Sequence, residues 1–528
     1  MNQWEELQQA ASNGRVSRRE FMRRSAALGI ATSLASGVLA KAGYAQTPVK
    51  GGHLRLGAAG GSTTDSMDVR TYLDTVMINI STSIFDGLVE VDDKNQIQPE
   101  LLETLEPSDD ATEWVCNVRK GVTFSNGKTL DADDIVYSIN LHRGEGTKSG
   151  AAGPMKPIKD VVKMSQEQIK IVLEAPDADL PYVLSDYHVL VVPNGFDDWA
   201  NPVGTGGYKA EAFDPGVRCI LTNRGEYWKE GRCNFESAEL TVINDDAARM
   251  QSLLAGEFDV THRVVVPLVD QLLAAGNLEL VQAAAGYHFN MPMMVDTKPY
   301  DNPDTRLAMK YAVNRAKLVE MMFGKYARVG NDHPIPESDP FHNNELPQRQ
   351  YDPEKAAFHA KKAGLGTADI VLSASDAAFN GAIDMSVLFQ ATAGAAGIPV
   401  KVRREPNDGF WDNVWLKAPF MTSYWGGRPA ATQMLAVAYG AKAPWNDTHW
   451  RNDAFEKLLA DAKATTDHAK RKDYIWEMQR MLHEQGGAII PLFKDWLDVH
   501  DVKVKGHTPH GMFDLCNSRI IQKAWIEA

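Results

Sequence analysis

The sequence predicts an α/β protein, and three stretches carry that prediction. In residues 113–142, EWVCNVRKGVTFSNGKTLDADDIVYSINLH, Trp114, Cys116 and Val118 alternate with Val115, Asn117 and Arg119, the period-2 pattern of a strand with one buried face. Residues 370–373, a helical stretch over 385–396 and residues 400–403 give strand, helix, strand, which is the plan of a parallel pair. Phe455, Leu458, Leu459 and Ala462 follow i, i+3, i+4, i+7, and Tyr474, Met478, Met481 and Leu482 repeat helical spacing.

The first 45 residues are set apart from the rest. They end a polar start with Arg18-Arg19 before Phe21, and an uncharged run of 16 residues follows over 25–40. That run is short for a spanning helix, which needs about 20 residues. Gly43 and Ala45 put small residues at −3 and −1 of a cleavage site, so the segment has the three-part plan of an export signal. The arginine pair, with Lys41 near the cleavage site, resembles a twin-arginine signal. We therefore expect a 1–45 signal peptide and a soluble periplasmic protein that begins near Gln46 and meets the twin-arginine translocase during export. An uncleaved anchor, or a general secretory signal with incidental arginines, is the alternative.

The remaining chain is acidic. The whole sequence of 528 residues has net charge −14, and residues 1–45 hold six Lys or Arg against three Asp or Glu, so the rest carries −17. Such a surface argues against nucleic acid or an anionic membrane as partner. The hydrophobic content of 44% is ample for a large core. Four cysteines, Cys116, Cys219, Cys233 and Cys516, contain no Cys-x-x-Cys, so zinc, iron–sulfur and haem attachment lack their usual signal. In an oxidising compartment Cys219 and Cys233 either close a 15-residue loop or remain buried thiols. Cys116, in a strand pattern, is expected to pack in the core.

In order along the chain, residues 51–57 read as a short strand and 60–68 as a polar loop. After Val118 the strand breaks at Lys120-Gly121 and resumes over 122–124. A turn over 125–127 follows, and Asp131 caps a helix with Asp134 three residues on. Residues 144–157 read as a Gly-rich surface loop, and 168–173 and 190–193 as strands. A helix over 247–256 stops at Gly256. Helices are expected over 303–324, with Asn314 capping a second piece and Gly324 closing it, and from Asp352-Pro353 to Gly364. Gly486-Gly487 ends the last long helix, and residues 488–493 form a buried strand.

Arg119, Gly121, Val122, Phe124, Leu130, Ala132, Asp134 and Ile135 stand in the order Arg-x-Gly-Val-x-Phe, turn, Leu-x-Ala-x-Asp-Ile. This order resembles the signature of the family-5 extracellular solute-binding proteins, the peptide, nickel and opine receptors of ABC-type importers. Further landmarks lie in the family's order: Gly51-Gly52-His53-Leu54, the 84–89 stretch IFDGLV, Pro202-Val203-Gly204-Thr205-Gly206-Gly207-Tyr208, the 223–228 stretch NRGEYW, and Phe289-Asn290. Gly207 departs from the family's proline. We read Gly204-Thr205-Gly206 as a backbone turn, because no strand–GxGxxG–helix context supports a phosphate loop.

The resemblance implies a two-lobed periplasmic binding protein fold (class II, cluster C type) with an extra subdomain in the first lobe. Lobe I is expected over 46–286, with the inserted subdomain at about 90–188, lobe II over 287–490, and a return to lobe I over 491–528. Two crossings, near 286–290 and 486–491, would make the hinge. The implied function is capture of a small solute, a peptide or a peptide-like or opine-like molecule, between the lobes. Delivery to an inner-membrane ABC permease follows, by a monomer with no cofactor, no metal and no catalytic role.

The ligand is expected near Tyr424, Trp425, Gly426 and Arg428, where a strand delivers an aromatic wall to a Gly-Gly turn. In peptide-binding relatives a carboxylate three residues after this Trp holds the ligand's α-ammonium, and here Arg428 stands there. A guanidinium cannot hold an ammonium but suits a carboxylate or phosphate. We expect an anionic ligand group near Arg428; otherwise Arg428 pairs with a protein carboxylate or faces solvent. Asn290, Trp411 and Asp408 are further candidates from segments that approach the cleft in relatives. Two other functions compete. A secreted enzyme exported folded by the twin-arginine route is one, although no Gly-x-Ser-x-Gly or His-Glu-x-x-His motif occurs. The nearest metal-like pair for that enzyme, His507 and His510, reads as a loop; a nickel or haem chelate receptor is the other function, although the 14 histidines are spread out and form no compact cluster.

Overall fold

The structure is a computed structural model that describes residues 48–366 and 370–527, together with Trp4, Leu7, Phe21, Arg24, Ser25 and Leu28. The expected signal peptide's arginine pair, uncharged run and cleavage site lie outside the described residues, apart from those isolated positions. Among the described residues no helix is long and apolar enough to cross a membrane.

Lobe I begins with β1 (His53–Ala58) and helix α1 (Thr75–Ile84), which Asp74 caps by accepting from Thr75 N–H. The subdomain follows. It contains β2 (Leu102–Pro107), β3 (Glu113–Val118), α2 (Ala132–Asn140), the short α3 (Ala152–Met155), β4 (Ile158–Ser165), β5 (Gln168–Leu173) and α4 (Leu180–Leu184). Its strands form an antiparallel sheet in the order β2-β3-β5-β4. The alternation read in residues 114–118 is realised: Trp114, Cys116 and Val118 are buried in this subdomain's core. The Asp131 carboxylate accepts from Asp133 and Asp134 N–H while Asp134 accepts from Asp131 N–H, so the capping box forms as expected.

The chain then builds β6 (Tyr208–Asp214), β7 (Arg218–Asn223), β8 (Ser237–Val242), α5 (Asp246–Leu254), β9 (Val260–Thr261) and β10 (Leu278–Ala283). At Ala283 it leaves for lobe II. There it forms β11 (His288–Pro292), α6 (Pro303–Tyr311), α7 (Arg315–Met322), β12 (Ala327–Val329) and α8 (Pro353–Lys362). Next come β13 (Ile370–Ala374), α9 (Ala382–Ala395), β14 (Val400–Arg404), α10 (Phe410–Asn413), β15 (Ser423–Trp425) and α11 (Ala431–Tyr439). Helices α12 (Asp453–Lys463) and α13 (His468–Gln485) lead to β16 (Ala488–Lys494). The lobe II sheet has the order β12-β16-β11-β15, and β13 and β14 pair in parallel across α9, as the strand–helix–strand pattern predicted. Asn314 accepts from Lys317 N–H and splits the 303–324 stretch into α6 and α7.

The next strand, β17 (Trp496–Asp501), returns to lobe I and enters the seven-stranded sheet β10-β17-β9-β1-β8-β7-β6. The crossings therefore run over 284–287 and at Asp495. The second lies a few residues beyond the expected 486–491, because β16 stays paired with β11 through Phe493 and with β12 through Lys494. Two expected strands are not formed. Residues 122–124 contribute one bridge, Thr123 to Thr129, after Gly121 turns the chain at φ 75°. Residues 190–193 contribute one bridge, Leu190 to Gly87. The reason is that Val191 N–H goes to Asp86 O and Val192 N–H to the Ser138 hydroxyl, not to a neighbouring strand. All four cysteines are buried free thiols, so Cys219 and Cys233 do not bridge. Burial pushes both thiols up to about 12.

Candidate functional site

A cavity of about 1780 Å³ lies between the lobes. Lobe I supplies the N-terminal face of α1, the turn 185–188, residues 263–267 and the C-terminal stretch 512–519. The 144–157 stretch, expected as plain surface, brings Gly150, Pro154 and Pro157 to the rim. Lobe II supplies Phe289 of β11, Phe379 and Leu388 around α9, the turn after β15, and Lys494 at the end of β16, and the crossings bring in Tyr287 and, at the start of β17, Trp496.

The floor is aromatic. The Tyr287 ring lies 5.3 Å from Tyr424, 5.4 Å from Trp496 and 5.4 Å from Phe289, and Phe289 stacks on Phe379 at 3.7 Å. Rings in such tilted and stacked contact give a stiff apolar surface.

One polar wall is organised around Asp514. His262 Nε2 accepts from Ala59 N–H at 2.9 Å, which leaves Nδ1 as the N–H that donates to Asp514 Oδ2 at 2.6 Å. Arg263 bridges the carboxylates of Asp74, at 2.5 Å, and Asp514, at 3.3 Å. His262 and Arg263 hold the Asp514 carboxyl well below the usual carboxylate range against the opposing effect of burial. Residues Leu515, Cys516, Asn517 and Ser518 all adopt positive φ, between 53° and 61°. A left-handed turn of non-glycine residues is unfavourable by about 1–2 kcal/mol per residue. Here Leu515 N–H donates to Asp498 Oδ2 at 2.7 Å, and the Thr82 hydroxyl donates to Ser518 O at 2.7 Å, so both ends are tied. The turn presents Asn517 to the cavity.

The charges lining the cavity are mostly matched inside the protein. Lys463 pairs with Asp177, Arg519 with Glu100, His188 with Asp186 and Arg249 with Asp246. Arg428 is different. Its guanidinium Nη1 donates to the carbonyl oxygens of Gly426 and Gly427 at 3.1 and 3.0 Å, and no carboxylate among the described residues lies within ion-pair distance. Burial lowers the Arg428 guanidinium somewhat, opposed by the fields of Tyr187, Asp186 and Tyr424.

Of the residues expected at the ligand, Tyr424, Gly426 and Arg428 line the cavity together. Four do not line it. Trp425 is 5% exposed and turns into the lobe II core, where its indole N–H donates to Asp447 Oδ2 at 3.3 Å. Period 2 explains this: Tyr424 and Trp425 face opposite sides of β15. Asn290 is fully buried beside the same carboxylate, donating at 3.4 Å. Trp411 stands behind the wall, its ring 5.7 Å from Tyr424. Asp408 is exposed and away from the lining. The sequence reading missed Asp74, Arg263, Tyr287, Lys494 and Asp514. Lys494 alone left a trace, as a charge closing the buried apolar run 488–493. His507 meets Asp498 at 3.0 Å, and His510 meets backbone oxygens. Among the described residues no group of three or more His, Cys, Asp or Glu could hold a metal ion.

Comparison with known proteins gives a consistent set of likenesses. Residues 96–447 match the model of the bacterial extracellular solute-binding proteins, family 5 (middle). The glutathione-binding protein GsiB of Salmonella paratyphi A is 26% identical over 310 residues, 58% of this chain and 60% of that protein. The chain thus spans about 60% of the length of the first curated relatives it matches. The di/tripeptide-binding protein 1 of Pseudomonas aeruginosa is 24% identical over 445 residues, 74% of this chain and 79% of that one. Among solved structures, the periplasmic binding protein DppA of Helicobacter pylori, in complex with the peptide STSA, superposes with TM-score 0.74 at 21% identity. That match covers 91% of this chain and 99% of DppA. AgaA of A. tumefacien R10, with agropinic acid, gives 0.75 at 20% identity over 90% and 99% of the two chains. At these identities the structural likeness establishes the two-lobed fold.

Proposed function

The chain belongs to the family-5 bacterial extracellular solute-binding proteins, and on that premise we propose that it is the periplasmic substrate-binding protein of an ABC transporter. It captures a small solute between its lobes and hands it, unchanged, to an inner-membrane permease. The solute is peptide-like or opine-like, in keeping with relatives named for glutathione and for di- and tripeptides and with neighbours solved with a peptide and with agropinic acid. An anionic group of the solute sits at Arg428. The protein acts as a monomer. Its first 45 residues, with Arg18-Arg19 before an apolar run, serve as a twin-arginine signal.

The observation that carries this reading is a cavity walled by both lobes. A ligand that touches both walls favours the closed form, and moving the equilibrium from 1:99 to 99:1 takes about 5.5 kcal/mol of differential binding. Arg428 suits a carboxylate because its Nη2 and Nε have no protein partner among the described residues. A thermal-shift screen of the protein against peptides, opines, organic acids and oligosaccharides tests the proposal, followed by small-angle scattering with the best class. One class should raise the melting temperature by several degrees and shrink the radius of gyration. A screen in which no class does either would overturn it.

A further inference from the structure

Two cations lining the cavity have no carboxylate within ion-pair distance among the described residues, Arg428 and Lys494. Lys494 ends β16, and its backbone is fixed by a hydrogen bond from its N–H to Tyr287 O at 2.9 Å. Burial lowers the Lys494 ammonium, Arg263 adds repulsion, and Asp246 and Asp514 act in the opposite sense from a distance. A cation in such a place stays charged only at a cost unless an anion arrives.

The sheet fixes how the two cations stand. His288 pairs with Phe493 on one side and Trp425 on the other, so Lys494, Tyr287 and Gly426 form the next row across three adjacent strands. All three line the cavity. Two strand spacings separate the outer members by on the order of 10 Å, with the Tyr287 ring between them, and Arg428 follows two residues after Gly426. Lining carboxylates offer little to a ligand cation, since each of them except Asp384 already meets an Arg, a Lys or, for Asp186, His188 among the described residues, and Asp384 is exposed.

We propose that the ligand carries two anionic groups on an apolar body, one held by Arg428 and the other by Lys494, with the body lying on Tyr287. A zwitterion with a free ammonium finds no equivalent partner. The inference rests on the receptor reading and names its substrate class.

Isothermal titration of the full chain tests it, with azelate, suberate and terephthalate as dianions, the monomethyl ester of each, and tetraalanine as a zwitterion. At least one dianion should bind tenfold or more tightly than its own ester. Lys494→Met should weaken that dianion at least tenfold and leave the ester within twofold, whereas Lys494→Arg should keep most of the preference and reports on the site should the Met variant not fold. Equal binding of dianion and ester, or indifference of the dianion to Lys494→Met, overturns the inference. Tetraalanine binding in the absence of any dianion overturns it too but leaves the receptor standing. If dianions, tetraalanine and an opine such as agropinic acid all fail to bind, the receptor reading itself falls.

Discussion

Arg471 of α13 in lobe II donates to Asp179, at the start of α4 in lobe I, at 2.5 Å, and neither side chain is more than 10% exposed. The Thr432 hydroxyl reaches the same carboxylate, Lys463 pairs with Asp177 at 2.8 Å, and Ala178 N–H donates to Lys463 O. Together these contacts fasten the subdomain to lobe II. Removing one partner of a buried ion pair leaves an uncompensated charge, here only when the lobes are together. Arg471→Ala should therefore favour the open form, raise the apparent Kd for any cavity ligand about tenfold and enlarge the radius of gyration in scattering. Arg480→Ala, on the same helix but paired only with the half-buried Glu477 and the exposed Glu484, should change neither, as surface pairs contribute about 0–1 kcal/mol.

At Arg428 charge sign is the testable quantity. Arg428→Ala should weaken an anionic ligand tenfold or more, and Arg428→Lys should restore part of the loss, because a point charge replaces a fork. Arg428→Asp should go further and shift preference toward peptides with a free N-terminus. Competition calorimetry between a peptide and its N-acetylated form reads the switch. Unchanged preference in the Asp variant would remove Arg428 from the ligand.

Asp447 is fully buried, with Trp425 and Asn290 as its donors. Burial raises its carboxyl from 3.8 to about 6, and those donors offset only part of that. A carboxyl with a raised folded value takes up a proton on folding between pH 4 and 6, so this group lowers stability as pH rises through that window and keeps it lower above. One pKa unit corresponds to about 1.4 kcal/mol, which makes the effect about 3 kcal/mol at most. Asp447→Asn should be more stable than the parent at pH 8 and similar at pH 4.5. Urea unfolding at the two values measures the difference, and a gap independent of pH would refute the assignment.

Asp332 is the centre of the lobe II ion network. Arg315 holds both of its oxygens at 2.6 and 2.7 Å, Arg349 adds 2.9 Å, and Ile490 N–H donates at 3.1 Å. Arg315, Lys310 and Arg349 keep this carboxyl far below the usual range despite its burial. Asp332→Asn keeps the shape and removes the charge, leaving two buried guanidinium groups unmatched. A loss of about 3–5 kcal/mol in urea unfolding is expected, with ligand affinity per folded molecule unchanged.

Much of this architecture was legible because period and punctuation act locally. The 114–118 alternation, the Asp131 box, the Asn314 break and the paired strands around α9 depend on neighbours in sequence. The 122–124 and 190–193 stretches misled because their hydrogen bonds end on side chains and loops that only the tertiary structure supplies. The site divides the same way. Tyr424, Gly426 and Arg428 fall in one segment and could be read together. Asp74, Arg263 and Asp514 meet from places hundreds of residues apart, and nothing near any of them marks the meeting. Trp425 shows the limit most clearly: its segment was right, and the parity of one strand sent the ring to the core.

The position of β17 has a further consequence for biosynthesis. It lies between β10 and β9, so the seven-stranded sheet that starts at residue 53 stays split until residue 496 has left the ribosome. Lobe II, a continuous stretch from 288 to 494, is under no such delay. The nascent chain can therefore finish its middle before its beginning, and a truncation that spares lobe II but removes Trp496–Asp501 should yield one half that is protected from protease and one that is not.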